Sequence, residues 1–174
     1  MLAWHKVMAI QRNLKSPEAQ ALYNKGGEII DLVHEIVALI PEDDEMLQSI
    51  AEFMKADSYI LQVKVSGAEA GRLWDIKMEC AALIRQAGNS LYIHKHSLEA
   101  FDFEYVSYMD LLRTALDEYK VLFKAWVATF DPNKAIEDEW GLFNPPGRIF
   151  DDNDDIDFDD DDDEDFDIFG SFED

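Results

Sequence analysis

The sequence predicts an all-α protein: an up-down-up-down antiparallel four-helix bundle with a disordered acidic C-terminal tail. Three observations lead to this fold class. Apolar residues recur every three or four positions through most of residues 16–131, which is the period of one helix face. Only Pro17 and Pro41 interrupt the helical pattern, and no Asn-Gly or Asp-Gly hairpin turn occurs there. The last 24 residues contain 15 Asp or Glu and no Lys, Arg or His, a composition that cannot build a core.

The first two predicted helices flank Pro41, which disfavours helical backbone in the residue before it. Helix one begins at Ser16, whose side chain can cap the N-terminus, with Pro17 at the first helical position. Its predicted core face is Leu22, Gly26, Ile29, Val33, Ile36 and Ile40. Helix two follows the acidic turn at residues 41–44 and weakens at Gly67. Its predicted core face is Met46, Ile50, Phe53, Ala56, Ile60 and Val63.

Helices three and four complete the bundle. Helix three is predicted from about Glu69 to about His96, with the core face Leu73, Ile76, Cys80, Leu83, Ala87 and Leu91. Helix four alternates spacings of 4 and 3 until Asp131, a seam typical of packed helices. That seam is Tyr105, Met109, Leu112, Leu116, Tyr119, Phe123, Trp126 and Phe130. Four helices of similar length with short links favour antiparallel neighbours.

Helices three and four each carry a second apolar row. On helix three the row is Trp74, Ala81 and Ile84, and on helix four it is Val106, Leu111, Leu122 and Val127. Two interpretations remain open, since such a row is either a surface left for a partner or one edge of a wide core-facing stripe.

Three segments flank the bundle, which is predicted to occupy residues 16–131. Residues 1–15 form an N-terminal extension that can pack on the bundle as a short extra helix. Residues 132–150 form a strap with paired prolines, and its predicted anchors are Trp140, Phe143, Ile149 and Phe150. Residues 151–174 form the acidic tail.

The sequence offers no constellation that indicates an enzyme, a cofactor or a metal. Di-iron bundles need Glu-x-x-His on two helices, and Asp31-x-x-His34 is the only near approach. His94 and His96 fall where helix three ends, and histidines there favour the negative end of the helix dipole. Cys80 lies on the predicted core face, which indicates a small buried residue and not a nucleophile. We therefore expect no catalytic residue, no cofactor and no metal.

The net charge of the chain limits the classes of partner that it can bind. The net charge is −23, which argues against direct binding to nucleic acid or to an anionic membrane. No apolar run approaches the roughly 20 residues that span a bilayer, and a single cysteine fits a reducing, cytoplasmic setting. The basic residues considered on and near helices three and four are Arg72, Lys77, Arg85, Lys120, Lys124 and Lys134. They predict either a charge-balanced solvated face or a local strip that contacts RNA.

The tail carries the predicted partner-binding residues. Its apolar members are Phe158, Phe166, Ile168, Phe169 and Phe172, and the acidic members are Asp160, Asp161 and Asp162. Acidic residues with spaced hydrophobics can dock on a basic surface while the rings fill pockets. The pattern resembles the C-terminal tips of bacterial single-stranded-DNA-binding proteins, which recruit partner proteins. The surface that the tail binds is left open. It is either a foreign basic protein, for which the tail can mimic DNA, or a basic patch on the same bundle or on a sister bundle. A purely solubilising tail is the remaining interpretation.

The body resembles a bacterial four-helix-bundle family. That family contains the proteins encoded in ribosomal-RNA intervening sequences and the accessory variability protein of diversity-generating retroelements. The resemblance covers about residues 16–130 and lies in helix spacing and in the run from Ala68 to Arg72 into helices three and four. It implies a homo-oligomer, often a pentameric ring, and in the retroelement branch an association with a reverse transcriptase and RNA. It supplies no catalytic residues.

These observations predict a non-enzymatic, self-associating protein-interaction module whose tail docks on a basic partner surface. The alternative is a nucleic-acid-linked accessory protein, either a reverse-transcriptase partner or a DNA-mimic decoy.

Overall fold

The computed structural model of the protein describes Leu14 and residues 16–150. This part of the chain is helical and contains no strand. Its helices are α1 Pro17–Val37, α2 Glu45–Ala70, α3 Trp74–Ala100 and α4 Met109–Val127, with 3-10 turns at Val106–Tyr108 and Pro132–Lys134. None of these helices is long and apolar enough to cross a membrane. The prediction of an all-α, four-helix protein is confirmed, while the N-terminal extension (apart from Leu14) and the acidic tail lie outside the described residues.

The four helices pack in the predicted up-down-up-down order. Helix α1 packs against α2 and α4, and α2 packs against α3. Contacts at both ends of the α3–α4 pair show that these helices run antiparallel. Lys95 Nζ lies 2.6 Å from Asp110 Oδ1 at one end, and the rings of Trp74 and Phe130 meet edge to face at the other.

Capping residues set the starts of the first two helices. The Ser16 hydroxyl accepts a hydrogen bond from the Ala19 N–H at 3.1 Å, as its position before Pro17 predicts. Asp44 caps α2 by accepting from two backbone N–H groups of the first turn. Helix α2 continues through Gly67 to Ala70, further than predicted, so α3 begins at Trp74. One exposed glycine costs a helix only about 1 kcal/mol, which the neighbouring alanines and the burial of Ala68 offset.

The predicted core faces of α1 and α4 are confirmed. All six positions predicted on α1 are buried. On α4 the seam is buried from Met109 to Phe130 except at Phe123, which is partly buried against the core. Tyr105 is 40 % exposed because it precedes the helix. Trp126 is fully buried and packs its ring edge to face on Phe130 at a centroid distance of 4.7 Å.

The predicted core face of α2 is wrong. The buried residues are Leu47, Ile50, Ala51, Met54, Ser58, Leu61, Val65 and Ala68. Of the predicted row only Ile50 belongs to this set, while Phe53 and Val63 are each 62 % exposed. Helix α2 carries two apolar rows on different faces, and α1 and α3 cover the row that contains the larger share of Leu, Met and Val. The second row faces outward.

The second apolar rows of α3 and α4 belong mainly to the core. Ala81 and Ile84 are buried, and Trp74 packs against the core. On α4 and its preceding turn, Val106, Leu122 and Val127 pack against the core as well. Leu111 is the exception, at 55 % exposure. The interpretation as a wide core-facing stripe therefore holds for α4. On α3 the second row is core, but Ile76 of the predicted core face is wrong, because it is 39 % exposed. A further outward apolar row lies on α2.

Candidate interaction site

The outward row of α2, here called the α2 seam, carries three exposed large apolar side chains, while its Ile60 is partly buried against the core. Its positions are Met46, Ser49, Phe53, Ala56, Ile60 and Val63. Met46 is 54 % exposed, and Phe53 and Val63 are each 62 % exposed. The spacings alternate between 3 and 4, which is the heptad pattern of helices that pack on a second helix.

The α2 seam is complementary to a second copy of itself in the antiparallel direction. Antiparallel helices pack each a-type position of the heptad against a d-type position of the other helix. In that register Met46 opposes Val63 and Phe53 opposes Ala56, while Ile60 opposes Ser49. Large residues therefore meet smaller ones in every layer, as close packing requires.

A groove between α3 and α4, here called the cationic groove, is the second candidate surface. It encloses a cavity of about 250 Å³. Its apolar floor is Ile84, Leu116, Tyr119 and Phe123, and its rim carries Arg85, Lys120 and Lys124. A concentration of three cations is unusual in a chain with 15 basic and 38 acidic side chains.

Gly88 keeps the floor of the cationic groove open. The position lines the cavity, and the only nearby atom that an added Cβ would meet is Leu61 Cδ2 at 3.9 Å, an ordinary van der Waals distance. Close packing therefore does not require glycine here. The missing side chain leaves room beside the rings of Tyr119 and Phe123.

The rim cations differ in their local partners. Lys120 Nζ lies 3.9 Å from the centre of the Tyr92 ring and 3.3 Å from Asp117 Oδ1. Contacts with Tyr92 and Asp117 raise the pKa of Lys120 above its usual value. The Tyr92 hydroxyl donates to Asp117 and, with Lys120, lowers the pKa of that carboxyl. Within residues 16–150, Arg85 and Lys124 form no ion pair, so their charges face the groove without a carboxylate.

An aromatic cluster holds the strap at one end of the bundle. Trp74 Nε1 donates to the Phe143 carbonyl at 2.8 Å. Trp126 Nε1 donates to Glu69 Oε1 at 3.0 Å, and Lys77 Nζ lies 3.4 Å from the same oxygen. Of the predicted anchors, Phe143 is confirmed through its backbone. Trp140 and Ile149 are wrong as anchors, because they are 93 % and 90 % exposed.

Asp138 organises the turn that precedes Phe143. Its carboxylate accepts backbone N–H bonds from Trp140 at 3.0 Å, Leu142 at 2.8 Å and Phe143 at 2.9 Å. These donors, Phe143 first, lower the pKa of Asp138. The turn borders an open hollow of about 520 Å³ whose acidic lining is Asp75, Glu79, Glu137, Asp138 and Glu139. The hollow is a negatively charged surface beside the exposed ring of Trp140.

The titratable residues considered in the sequence have structural partners. His34 Nε2 lies 2.8 Å from the Tyr59 hydroxyl, and His94 Nε2 lies 3.2 Å from Asp57 Oδ2. Cys80 is buried as predicted, and burial raises the pKa of its thiol. In the part of the chain that the structure describes, no group of three or more His, Cys, Asp or Glu side chains is arranged to hold a metal ion.

The eight tail residues predicted to bind a partner, from Phe158 to Phe172, lie outside the described residues. Among the basic residues considered from the sequence, Arg85, Lys120 and Lys124 meet at the cationic groove. The groove was not predicted from the sequence because these cations come from two helices. The antiparallel register of α3 and α4 would predict that these cations lie together, because a register that pairs Lys95 with Asp110 also places Arg85 opposite Lys120.

Comparison with known protein families, with curated proteins and with solved structures finds no match to this chain. The resemblance to the bacterial four-helix-bundle family is therefore still a prediction.

Proposed function

We propose that the protein is a non-enzymatic interaction module that self-associates through the α2 seam and engages a basic surface through its acidic tail. The observation that carries the proposal is the exposure of Phe53 and Val63, each 62 %, on a row with heptad spacing. Burying a large apolar side chain fully contributes about 1.5–3 kcal/mol. A symmetric pair buries every residue of the row twice, because a twofold interface uses the same patch on both copies.

Charges beside the α2 seam support antiparallel pairing. In the a-to-d register, Glu52 lies beside the second copy's Tyr59, and Glu45 lies beside the second copy's Ser66. Like charges therefore do not oppose each other along this flank, although each chain is strongly acidic. Complementary flanks of this kind set the partner and direction of paired helices.

Val63→Glu tests self-association. We expect the wild-type chain to form a species of about twice the 20.0 kDa monomer mass, and the variant to be monomeric, because two carboxylates would enter the seam. Light scattering after size exclusion measures the mass. Val121→Glu is the matched control, since Val121 is 69 % exposed on α4 and lies outside the seam.

A monomeric wild-type chain would refute this role of the α2 seam. So would a Val63→Glu variant that keeps the wild-type mass, or a Val121→Glu variant that loses it equally. Circular dichroism of both variants establishes that a change in mass is not a loss of helix.

The tail gives the module its second contact. It carries 15 acidic side chains and four Phe, a combination suited to a basic surface with apolar pockets. The resemblance to the retroelement accessory protein proposes a reverse transcriptase as one such partner. Affinity capture with the full chain and with a chain lacking residues 151–174 tests this role, and we expect partner capture to require the tail.

The second candidate function is a nucleic-acid-linked accessory protein. The observation that favours it is the grouping of Arg85, Lys120 and Lys124 on one surface, because phosphate contacts need clustered cations. Fluorescence anisotropy with a labelled single-stranded RNA separates the candidates. RNA binding that appears on removal of residues 151–174 and weakens with salt would favour this function. The same captured proteins with and without the tail would contradict the interaction module.

A further inference from the structure

The cationic groove and the acidic tail of the same chain are complementary in charge and in apolar character. We propose that residues 151–174 dock in cis into the cationic groove, an inference that rests on the proposed docking role of the tail. One or two of the side chains of Phe166, Ile168 and Phe169 occupy the apolar floor. The acidic run that contains Asp160–Asp162 faces the rim cations.

Charge distribution favours the tail as the occupant. Residues 151–174 hold 15 of the 38 acidic side chains, so residues 1–150, with the remaining 23 and all 15 basic ones, have a net charge of −8. Within that acidic body, the rim of the groove presents Arg85, Lys120 and Lys124. In the described part of the chain, Arg85 and Lys124 have no carboxylate partner. An acidic segment tethered to the body is therefore attracted to this face.

The tail begins within reach of the groove. Phe143 is hydrogen-bonded to Trp74 at the start of α3, and Arg148 Nη1 donates to the Pro132 carbonyl just after α4. From Trp74 to Arg85 is a rise of about 16 Å along α3. The 16 residues from Phe150 to Phe166 extend up to about 53 Å, so the tail reaches the floor without strain.

The floor suits apolar side chains of the kind that the tail supplies. A cavity of about 250 Å³ is smaller than the roughly 300–1,000 Å³ of typical small-molecule sites. One or two aromatic or aliphatic side chains fill such a space. The segment Phe166-Asp167-Ile168-Phe169 is the densest apolar group in the tail, and its flanking acids remain at the rim.

Covalent attachment makes a weak contact sufficient. Tethering through a short segment gives an effective concentration in the millimolar range, so even modest intrinsic affinity keeps the groove covered. Two kinds of ligand would then displace the tail from the groove. A basic partner that binds the tail would expose the rim cations, and an anionic ligand that binds the groove would release the tail. The tail's foreign partner and its own groove are competitors for one segment.

Paramagnetic relaxation in the full-length chain tests the proposal. A nitroxide is attached to Ser171→Cys, and buried Cys80 in the parent chain, treated in the same way, gives the background. We expect amide signals from Arg85–Asn89 and Leu116–Lys124 to be broadened strongly. Amide signals at the far ends of α1 and α2, near Ile40 and Leu47, should retain their intensity.

Two groove variants and one control define the contact. Lys120→Glu with Lys124→Glu reverses the rim, and Gly88→Leu fills the floor while its Cβ has ordinary contacts. Both should abolish the broadening. Lys55→Glu with Lys64→Glu makes the same change in net charge on α2 and should leave the broadening intact. Broadening that survives both groove variants would overturn the proposal.

A mixture of differently labelled chains distinguishes docking in cis from docking in trans. Isotope-labelled chain without nitroxide is combined with spin-labelled chain without isotope, in the monomeric Val63→Glu background. Broadening of the groove in this mixture would place the tail of a second copy there and overturn docking in cis. No groove broadening in the singly labelled chain would overturn the inference as well. If affinity capture of partners still requires residues 151–174 in that case, the proposed function stands without docking in cis.

Discussion

At the scale of single residues, Asp138 shows how one carboxylate fixes the path of the strap. Three backbone N–H groups from residues 140, 142 and 143 donate to it, and these bonds favour its charged form. Since the folded pKa lies below the unfolded value of about 3.9, the stabilisation is present above the unfolded pKa. It is lost as the pH falls through the lower folded pKa.

Asp138→Asn is expected to loosen the strap at neutral pH. The neutral amide is a weaker acceptor than the carboxylate, so the Leu142 and Phe143 amides should exchange with solvent faster, as measured by hydrogen exchange in NMR. In the wild-type chain their protection should begin to decline below the unfolded pKa of about 3.9 and should be lost as the pH falls through the lower folded pKa, whereas the variant should lack this step. Glu139→Gln is the matched control, and equal protection in all three chains would contradict the prediction.

At the scale of elements, α2 shows what a sequence pattern specifies and what it leaves open. The period of its apolar residues predicts a helix, and the helix is present. Two rows satisfy that period, however, one through Met54 and Leu61 and one through Phe53 and Ile60. Which row becomes core depends on the positions of α1 and α3, which the local pattern does not contain. On α1 a single row dominates, and on α4 the second row packs beside the first against the core apart from Leu111, so those faces were predictable.

The glycines of α1 and α2 are expected to respond oppositely to substitution. Gly67 is exposed with no neighbour within 4 Å of an added Cβ, so Gly67→Ala should stabilise the protein by about 0.5–1 kcal/mol through helix entropy. At Gly26 an added Cβ would lie 3.3 Å from Gln62 Cα. Gly26→Val should push α1 from α2 and destabilise the protein by about 1–3 kcal/mol.

Urea unfolding at one fixed protein concentration measures both changes in free energy. Equal destabilisation by the two substitutions would show that the close approach of α1 and α2 at Gly26 does not control the packing of this pair.

At the scale of the whole molecule, the candidate surfaces were less predictable than the fold. The cations of the groove lie on two helices that are distant in sequence, so their meeting depends on the α3–α4 register. The tail was recognisable from composition alone, because 15 acids in 24 residues need no tertiary context to be noticed. The cationic groove depends on the register of two helices, and the α2 seam, although it lies on one helix, depends on which row α1 and α3 cover.

The two proposed contacts of the chain should respond oppositely to salt. Raising ionic strength from 0.1 to 1 M shortens the Debye length from about 10 to about 3 Å. The tail should therefore leave the cationic groove, and groove broadening should weaken. Self-association through the apolar α2 seam should strengthen, because copies with a net charge of −23 repel less. Over one salt series, light scattering measures the expected increase in self-association, and paramagnetic relaxation measures the expected decrease in groove broadening.

The tryptophans of the chain supply separate optical reporters of these events. Trp126 is fully buried with its indole bonded to Glu69, whereas Trp140 is 93 % exposed on the strap. Burial shifts indole emission to shorter wavelength and blocks collisional quenchers. Acrylamide should therefore quench Trp140 first, while Trp126 keeps its emission until the bundle unfolds. Replacing Trp140 and Trp4 with Phe leaves Trp126 and Trp74, which packs against the core, so melting of the bundle can be followed apart from movement of the strap without any added dye.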